Sequence, residues 1–155
     1  MTTAIDTNVL LDLVLPKAPH SDESEAHLVA AAEEDLVVCD IVYAELASDF
    51  RVREQLDRFF LGLRIRVESP TQAVLFDAGH AWRRYTRQRR PALLCSTCGT
   101  GSQPVCLQCG EVLRSRQHMV ADFIIGAHAM ARADRLLTRD RGYYRTYFPE
   151  LRIDG

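Results

Sequence analysis

The stretch Ala4-Ile5-Asp6-Thr7-Asn8-Val9-Leu10-Leu11 decides how the rest of the chain is read. A short apolar start meets an acid at once, and a helix-like apolar run follows. The pattern predicts a strand ending at Asp6, a turn through Thr7-Asn8 and a helix to about Val14. An acid at the carboxyl end of a strand in an α/β sheet stands where such folds bind their ligands. Three more acids in similar settings occur downstream.

Outward from this start, strand-like and helix-like stretches alternate. Ser21 to Ala32 reads as a helix capped by Ser21 or Asp22, with acids in its first turn. His27 on it reads as a surface residue. Leu36 to Cys39 is a β-rich run, and Cys39 in it is most simply a small buried hydrophobe. Asp40 can cap the helical stretch Ile41 to Ser48, which carries Glu45 between apolar neighbours; a solvated face is the alternative reading of Glu45. Phe50 to Gly62 is a further helix, and Ile65-Arg66-Val67 a strand. Ser69-Pro70 reads as a cap and first helical residue opening a helix to about Arg87, with Val74, Ala78, Ala81 and Tyr85 as its buried stripe and Trp82 beside it. After residue 116 the helical pattern returns around Val120 to Met130. Arg135 to Thr138 is a strand ended by Asp140, and Leu151 to Ile153 is the last strand. The alternation predicts an α/β fold: a mostly parallel sheet with helices on both faces, in a single domain spanning residues 1–155.

Residues 91–116 are of another kind. Cys95-Ser96-Thr97-Cys98 and Cys106-Leu107-Gln108-Cys109 are separated by seven residues, and Gly99, Gly101, Pro104 and Gly110 crowd the segment with turns. Two CxxC pairs at this spacing point to one tetrahedral ion held by four thiolates in a small zinc-ribbon-like insertion, since so short a unit cannot hold itself together by apolar burial. Structural zinc is the expected ion; a rubredoxin-like iron site and a redox pair are the alternatives. His118 is a possible extra ligand, but four cysteines already saturate the ion. His20, His80 and His128 have no metal-site spacing, and His128 is expected to be a helix side chain with a structural hydrogen bond.

The formal net charge is −2, but it is unevenly spread: residues 83–116 hold seven Arg and one acid, and the remainder twelve Lys or Arg against twenty acids. An acidic body with a basic segment suits a protein that binds metal cations and a polyanion; a solvated basic loop is the plain alternative. Arg83, Arg84, Arg87, Arg89, Arg90, Arg114 and Arg116 are the candidate phosphate contacts. No stretch approaches a membrane span and no secretion signal opens the chain, so a cytoplasmic protein without membrane contact is expected. The paired cysteines fit metal in a reducing compartment better than a disulfide framework.

Asp6 and Asp140 each end a predicted strand, and Glu45 and Asp122 each sit in the opening turns of a predicted helix. In a parallel sheet those places share one edge, so the four carboxylates can converge. Gathered together they repel one another and raise some of their pKa values. A hard divalent cation, Mg²⁺ or Mn²⁺, removes that penalty and can activate water against a phosphodiester. An aspartyl-phosphate phosphatase with Asp6 as nucleophile would want an acid at position 8, where Asn8 stands. A binding module that holds nucleic acid through the knuckle and arginines with little catalysis is the second reading.

The chain resembles the PIN-domain family, and in detail the VapC-type toxin ribonucleases. The residues that carry the resemblance are Ile5-Asp6-Thr7-Asn8-Val9-Leu10-Leu11, Tyr43-Ala44-Glu45-Leu46, Ala121-Asp122-Phe123-Ile124-Ile125-Gly126-Ala127-His128-Ala129, and Leu136-Leu137-Thr138-Arg139-Asp140-Arg141-Gly142-Tyr143-Tyr144. The resemblance implies a metal-dependent endoribonuclease, usually a homodimer, inhibited by a cognate antitoxin. It assigns Asp6, Glu45, Asp122 and Asp140 to an acidic quartet, with Thr7 and Asn8 supporting the first acid through hydrogen bonds. The insertion at 91–116 departs from the family pattern.

Overall fold

A computed structural model describes residues 1–15, 19–88, 93–94, 101–110 and 119–154. The five strands β1 (Thr2–Ile5), β2 (Asp35–Cys39), β3 (Ile65–Glu68), β6 (Arg135–Leu137) and β7 (Ile153–Asp154) form one sheet in the order β3-β2-β1-β6-β7. Every pairing in it is parallel, with Ala4 opposite Val37 on one side and Leu136 on the other. Parallel neighbours require crossovers, which the helices α1 (Thr7–Val14), α2 (Ser21–Ala30), α3 (Asp40–Leu46), α4 (Arg53–Gly62), α5 (Gln72–Gln88), α6 (Val120–Arg132) and α7 (Arg141–Tyr147) supply on both faces. The central strands are therefore buried on both sides: Ala4, Ile5, Val37, Val38, Leu136 and Leu137 are each at most 2% exposed.

Strand order locates the functional edge. From β1 the chain moves to β2 and β3 on one side; after α5 and α6 it returns as β6 on the other side of β1 and continues outward to β7. The β1–β6 junction is thus the point where successive crossovers diverge, which leaves a crevice beyond the carboxyl ends of those two strands. Asp6 follows β1 directly, and its N–H donates to the Leu137 carbonyl at 3.0 Å, the last rung of that ladder.

Several local expectations are corrected. The helix expected to open at Ser69-Pro70 begins at Gln72, and Thr71 takes the capping part by accepting from the Val74 N–H at 3.4 Å. His20, not Ser21 or Asp22, stands at the N-cap of α2, and Asp40 opens α3 without a side-chain cap bond. The last strand is shifted to Ile153–Asp154. Helix α7 has no counterpart in the sequence reading, because Gly142 and three tyrosines argue locally against a helix. It forms because Asp140 accepts from the Tyr143 N–H at 3.4 Å at its start, and because Tyr143, Tyr144, Tyr147 and Phe148 all face inward. Phe123 of α6 lies within 5.1–5.5 Å of the Tyr85, Tyr143 and Tyr147 rings, which locks α5, α6 and α7 together.

In the insertion, β4 (Leu93–Leu94) and β5 (Gly101–Ser102) pair antiparallel. Arg89, Arg90, Cys95, Cys98, Arg114, Arg116 and His118 lie outside the described residues. Among the described residues no helix is long and apolar enough to cross a membrane.

Candidate active site

Four elements of the carboxyl edge bring Asp6, Glu45, Asp122 and Asp140 to the wall of one cavity of about 370 Å³, with Thr7, Asn8, Leu11 and Tyr144. Two larger hollows lie elsewhere, one beside Leu28 and Phe59 and one beside His80 and Phe148, and neither holds any of the four acids.

Each carboxylate is held by a donor of its own. Asp6, 5% exposed, accepts on Oδ2 from the Thr138 hydroxyl at 2.6 Å and from Asn8 Nδ2 at 2.7 Å. Glu45 accepts from the Thr7 hydroxyl. Asp122, in the first turn of α6, accepts on Oδ2 from the Met119 N–H at 2.7 Å. Asn8 therefore supports the first acid as the resemblance implies. Thr7 does so only through its N–H, while its hydroxyl goes to Glu45.

The electrostatics follow from this crowding. Burial pushes the Asp6 carboxyl up to about 6; the Thr138 hydroxyl and Thr7 N–H oppose the rise, and the charges of Asp122 and Glu45 add to it. Burial also raises the Glu45 carboxyl, against the Thr7 hydroxyl, with Asp122 adding to the shift. Burial followed by the neighbouring acids drives the Tyr144 hydroxyl far above the usual phenol range. Among the described residues, the wall of this cavity holds no basic side chain. Among the described residues, no group of three or more His, Cys, Asp or Glu side chains has the arrangement to hold an ion as it stands. The donor set nonetheless fits a hard cation. Its oxygens are carboxylate, and the Asp6 and Glu45 carboxyls, raised first by burial and then by neighbouring acids, are buried charges that a divalent ion would stabilise.

A family model of the PIN domain matches residues 3–98. The chain belongs to the PIN-domain family. The matched stretch contains Asp6 and Glu45. Asp122 and Asp140 lie beyond it and reach the PIN site through the strand order described above. Among solved structures the chain is similar to VapBC2 from Rickettsia felis bound to a DNA fragment from their promoter, at 18% identity over 99% of this chain and 98% of that one, with a TM-score of 0.60. It is similar to VapBC-1 from nontypeable Haemophilus influenzae, at 21% identity over 99% and 97%, TM-score 0.57. It is also similar to FitAB bound to the IR36 DNA fragment, at 17% identity over 98% and 93%, TM-score 0.62. At these identities the likeness is one of fold. No curated protein matches the chain.

Not every expected residue joins the PIN site. Arg83, Arg84 and Arg87 are exposed on α5 and line no part of the acid cavity; Arg84 lines the hollow beside His80 and Phe148 instead. His128 is a helix side chain as expected; it is 2% exposed, and its Nε2 meets no hydrogen-bond partner among the described residues. Other residues the sequence reading passed over do bear on the site. The Thr138 hydroxyl is a hub: it donates to Asp6 and accepts from Asn8 Nδ2 at 3.2 Å and from the Asp140 N–H at 3.0 Å. Arg139 pairs through Nε with Asp12 at 2.9 Å, and its backbone N–H donates to Asn8 Oδ1 at 3.2 Å. Asp12 is buried and also accepts from the Ser24 hydroxyl at 2.6 Å. These links tie the start of α1 to the loop carrying Asp140. No sequence periodicity could have found them, because Asp12 and Arg139 are joined only by the pairing of β1 with β6.

Proposed function

We propose that this PIN protein is an endoribonuclease dependent on Mg²⁺ or Mn²⁺, acting in the cytoplasm as the toxin of a toxin–antitoxin pair. A homodimer inhibited by a protein antitoxin completes the reading. The observation that carries it is the convergence of Asp6, Glu45, Asp122 and Asp140 on one cavity at the β1–β6 junction, with burial and mutual charge raising the Asp6 and Glu45 carboxyls. The four carboxylates would hold the cation. When bound, it supplies polarisation of a phosphodiester oxygen and a water acidic enough to attack near neutral pH. The chain's own residues do the orienting. Thr138 and Asn8 hold the Asp6 carboxylate, Thr7 holds Glu45, and the Met119 N–H holds Asp122. A buried acid that titrates near 6 must lose its proton to bind a cation, so affinity for the ion should rise from pH 5 to pH 7.

The arginines at 83, 84, 87, 89, 90, 114 and 116 are assigned the phosphate contacts of the RNA, which set affinity and position more than sequence preference. Arg87 lies in the last turn of α5. The Tyr85 ring lies 5.5 Å from that of Phe123, so the last turn of α5 is level with the turn that carries Asp122.

Cys95, Cys98, Cys106 and Cys109 are assigned to one structural zinc ion. Support comes from the second pair. The Gly110 N–H closes a turn on the Cys106 carbonyl at 2.8 Å, with Gly110 at φ 75°, a conformation that suits glycine. The N–H groups of Cys109 and Gln108, helped by the Cys109 side chain, lower the Cys106 thiol pKa, so the turn is already disposed to hold a thiolate. Elemental analysis of purified protein is expected to find one zinc per chain. Cys106→Ser should lose that zinc while the circular dichroism of the helices persists, since none of the five strands of the central sheet lies in the insertion. An iron-type visible spectrum, or disulfides among these cysteines, would count against zinc.

The function is tested by incubating the protein with end-labelled RNA and with DNA of the same sequence, in Mg²⁺, in Mn²⁺ and in chelator. Cleavage of RNA only when a metal is present is expected. Retardation of RNA without cleavage would make the chain a binding module, and equal cleavage of DNA would replace the substrate.

A further inference from the structure

Tyr144 presents a polar group that the described fold does not use. It is 1% exposed and one of the largest fully buried side chains of the protein. Its hydroxyl is buried and meets no hydrogen-bond partner among the described residues. The side chain lines the acid cavity beside Asp6, Asp122 and Asp140. A buried hydroxyl left unpaired weakens folding about ten- to a hundredfold in the equilibrium constant, and phenylalanine would fill nearly the same volume without that cost.

Acceptors are abundant around it, yet the carboxylates take their hydrogen bonds from other donors: Asp6 from Thr138 and Asn8, Glu45 from Thr7, Asp122 from the Met119 N–H. A hydroxyl serving only the fold would have been satisfied by one of these oxygens. Tyr144 is instead held rigidly at the cavity wall, with Tyr143 4.7 Å and Phe148 6.2 Å from its ring. A preorganised donor beside gathered carboxylates fits an oxygen that arrives with the ligand.

We propose that the Tyr144 hydroxyl donates a hydrogen bond to a ligand oxygen entering the acid cavity, either a water carried by the divalent cation or a non-bridging oxygen of the RNA phosphate. The proposal rests on the reading of this cavity as a cation-dependent nuclease site and adds a donor that the quartet does not include. As a neutral donor at the wall, Tyr144 offsets negative charge on that oxygen where the acids alone would repel it.

The test is Tyr144→Phe in the full-length protein, with Tyr147→Phe as a control outside the cavity. In chelator, the melting temperature of Tyr144→Phe is expected to equal or exceed that of the wild type by about 2–4 °C, because an unpaired group has been removed. Mn²⁺ alone is then titrated by calorimetry. If the hydroxyl meets the cation's water, Mn²⁺ should bind about 10-fold more weakly to the variant, the lower end of what loss of an outer hydrogen bond to a metal ligand costs. If it meets the phosphate, Mn²⁺ affinity should hold, while RNA affinity in Ca²⁺, which should bind without supporting cleavage, should fall by a similar factor. A variant that melts several degrees lower in chelator, or that matches the wild type in both affinities, overturns the proposal. The nuclease reading is judged separately on the wild type. Absence of RNA cleavage in a wild type whose Mn²⁺ affinity exceeds that of the variant would sink the nuclease and leave the donor in place. A wild type that binds neither Mn²⁺ nor RNA would sink both.

Discussion

Asp6→Asn is expected to lower RNA cleavage by at least about 10²-fold, as loss of a charge that stabilises a transition state usually does. The same substitution is expected to stabilise the metal-free protein at neutral pH. The two effects have one cause. Asp6 is 5% exposed, and burial with the nearby charges of Asp122 and Glu45 lifts its carboxyl from 3.8 to about 6. A carboxyl whose folded pKa lies above its unfolded value favours folding while protonated. That contribution is complete below about pH 4 and is lost as pH rises through about 6, because the unfolded chain gives up its proton first. Asparagine keeps an oxygen for Thr138 and Asn8 but never ionises. The stability gap between Asp6→Asn and the wild type should therefore open between pH 4 and pH 6 and stay level above, with an upper limit of about 3 kcal/mol for a shift of roughly two pK units. Saturating Mg²⁺ or Mn²⁺ should close or reverse the gap by binding the wild type alone. Urea titrations at several pH values, with and without cation, check this. A gap independent of pH would mean that Asp6 carries no such strain, and full activity in the variant would end the metal mechanism.

Gly126→Ala should destabilise the protein by about 2–3 kcal/mol, even though alanine favours a helix over glycine by about 1 kcal/mol. Gly126 faces Phe148 across the α6–α7 contact, and a Cβ there would lie 2.3 Å from Phe148 Cε2 and 2.7 Å from Cδ2 and Cζ. The ring has little room to yield. Phe148 is 7% exposed, its N–H donates to the Tyr144 carbonyl at 2.7 Å, and its carbonyl accepts from the Leu151 N–H at 3.0 Å. Gly79 of α5 is the internal comparison, since an added Cβ there meets nothing within 4 Å. Gly79→Ala should stabilise by about 0.5–1 kcal/mol, so two helical glycines are expected to respond with opposite signs. Combining Gly126→Ala with Phe148→Leu should recover most of the loss, an interaction that a double-mutant cycle measures. A stabilised Gly126→Ala would show that the ring moves aside freely. Because α6 carries Asp122 and α7 carries Tyr144, cleavage by Gly126→Ala should fall more than its folded fraction alone explains.

The α/β class, the parallel sheet and the gathering of Asp6, Glu45, Asp122 and Asp140 at one cavity were legible in the sequence. Asp6 and Asp140 stand at strand-to-helix boundaries that period and turn residues mark locally, and parallel strands send such boundaries to a common edge; Asp122 in the first turn of α6 and Glu45 near the end of α3 join them there. The buried stripe of α5 was equally legible, since Val74, Ala78, Ala81 and Tyr85 repeat at helical spacing. What lay beyond one turn of helix or one strand was not. Helix α7 forms against the local preferences of Gly142 and its tyrosines because its aromatic face is buried on Phe123. The Thr138 hub, the Asp12–Arg139 pair and the unpaired Tyr144 hydroxyl exist only because β6 lies beside β1, which brings residues some 130 positions apart into contact. Local periodicity records which face of an element is apolar, whereas the partner that each polar group meets is set by strand order and by the packing of helices over the sheet.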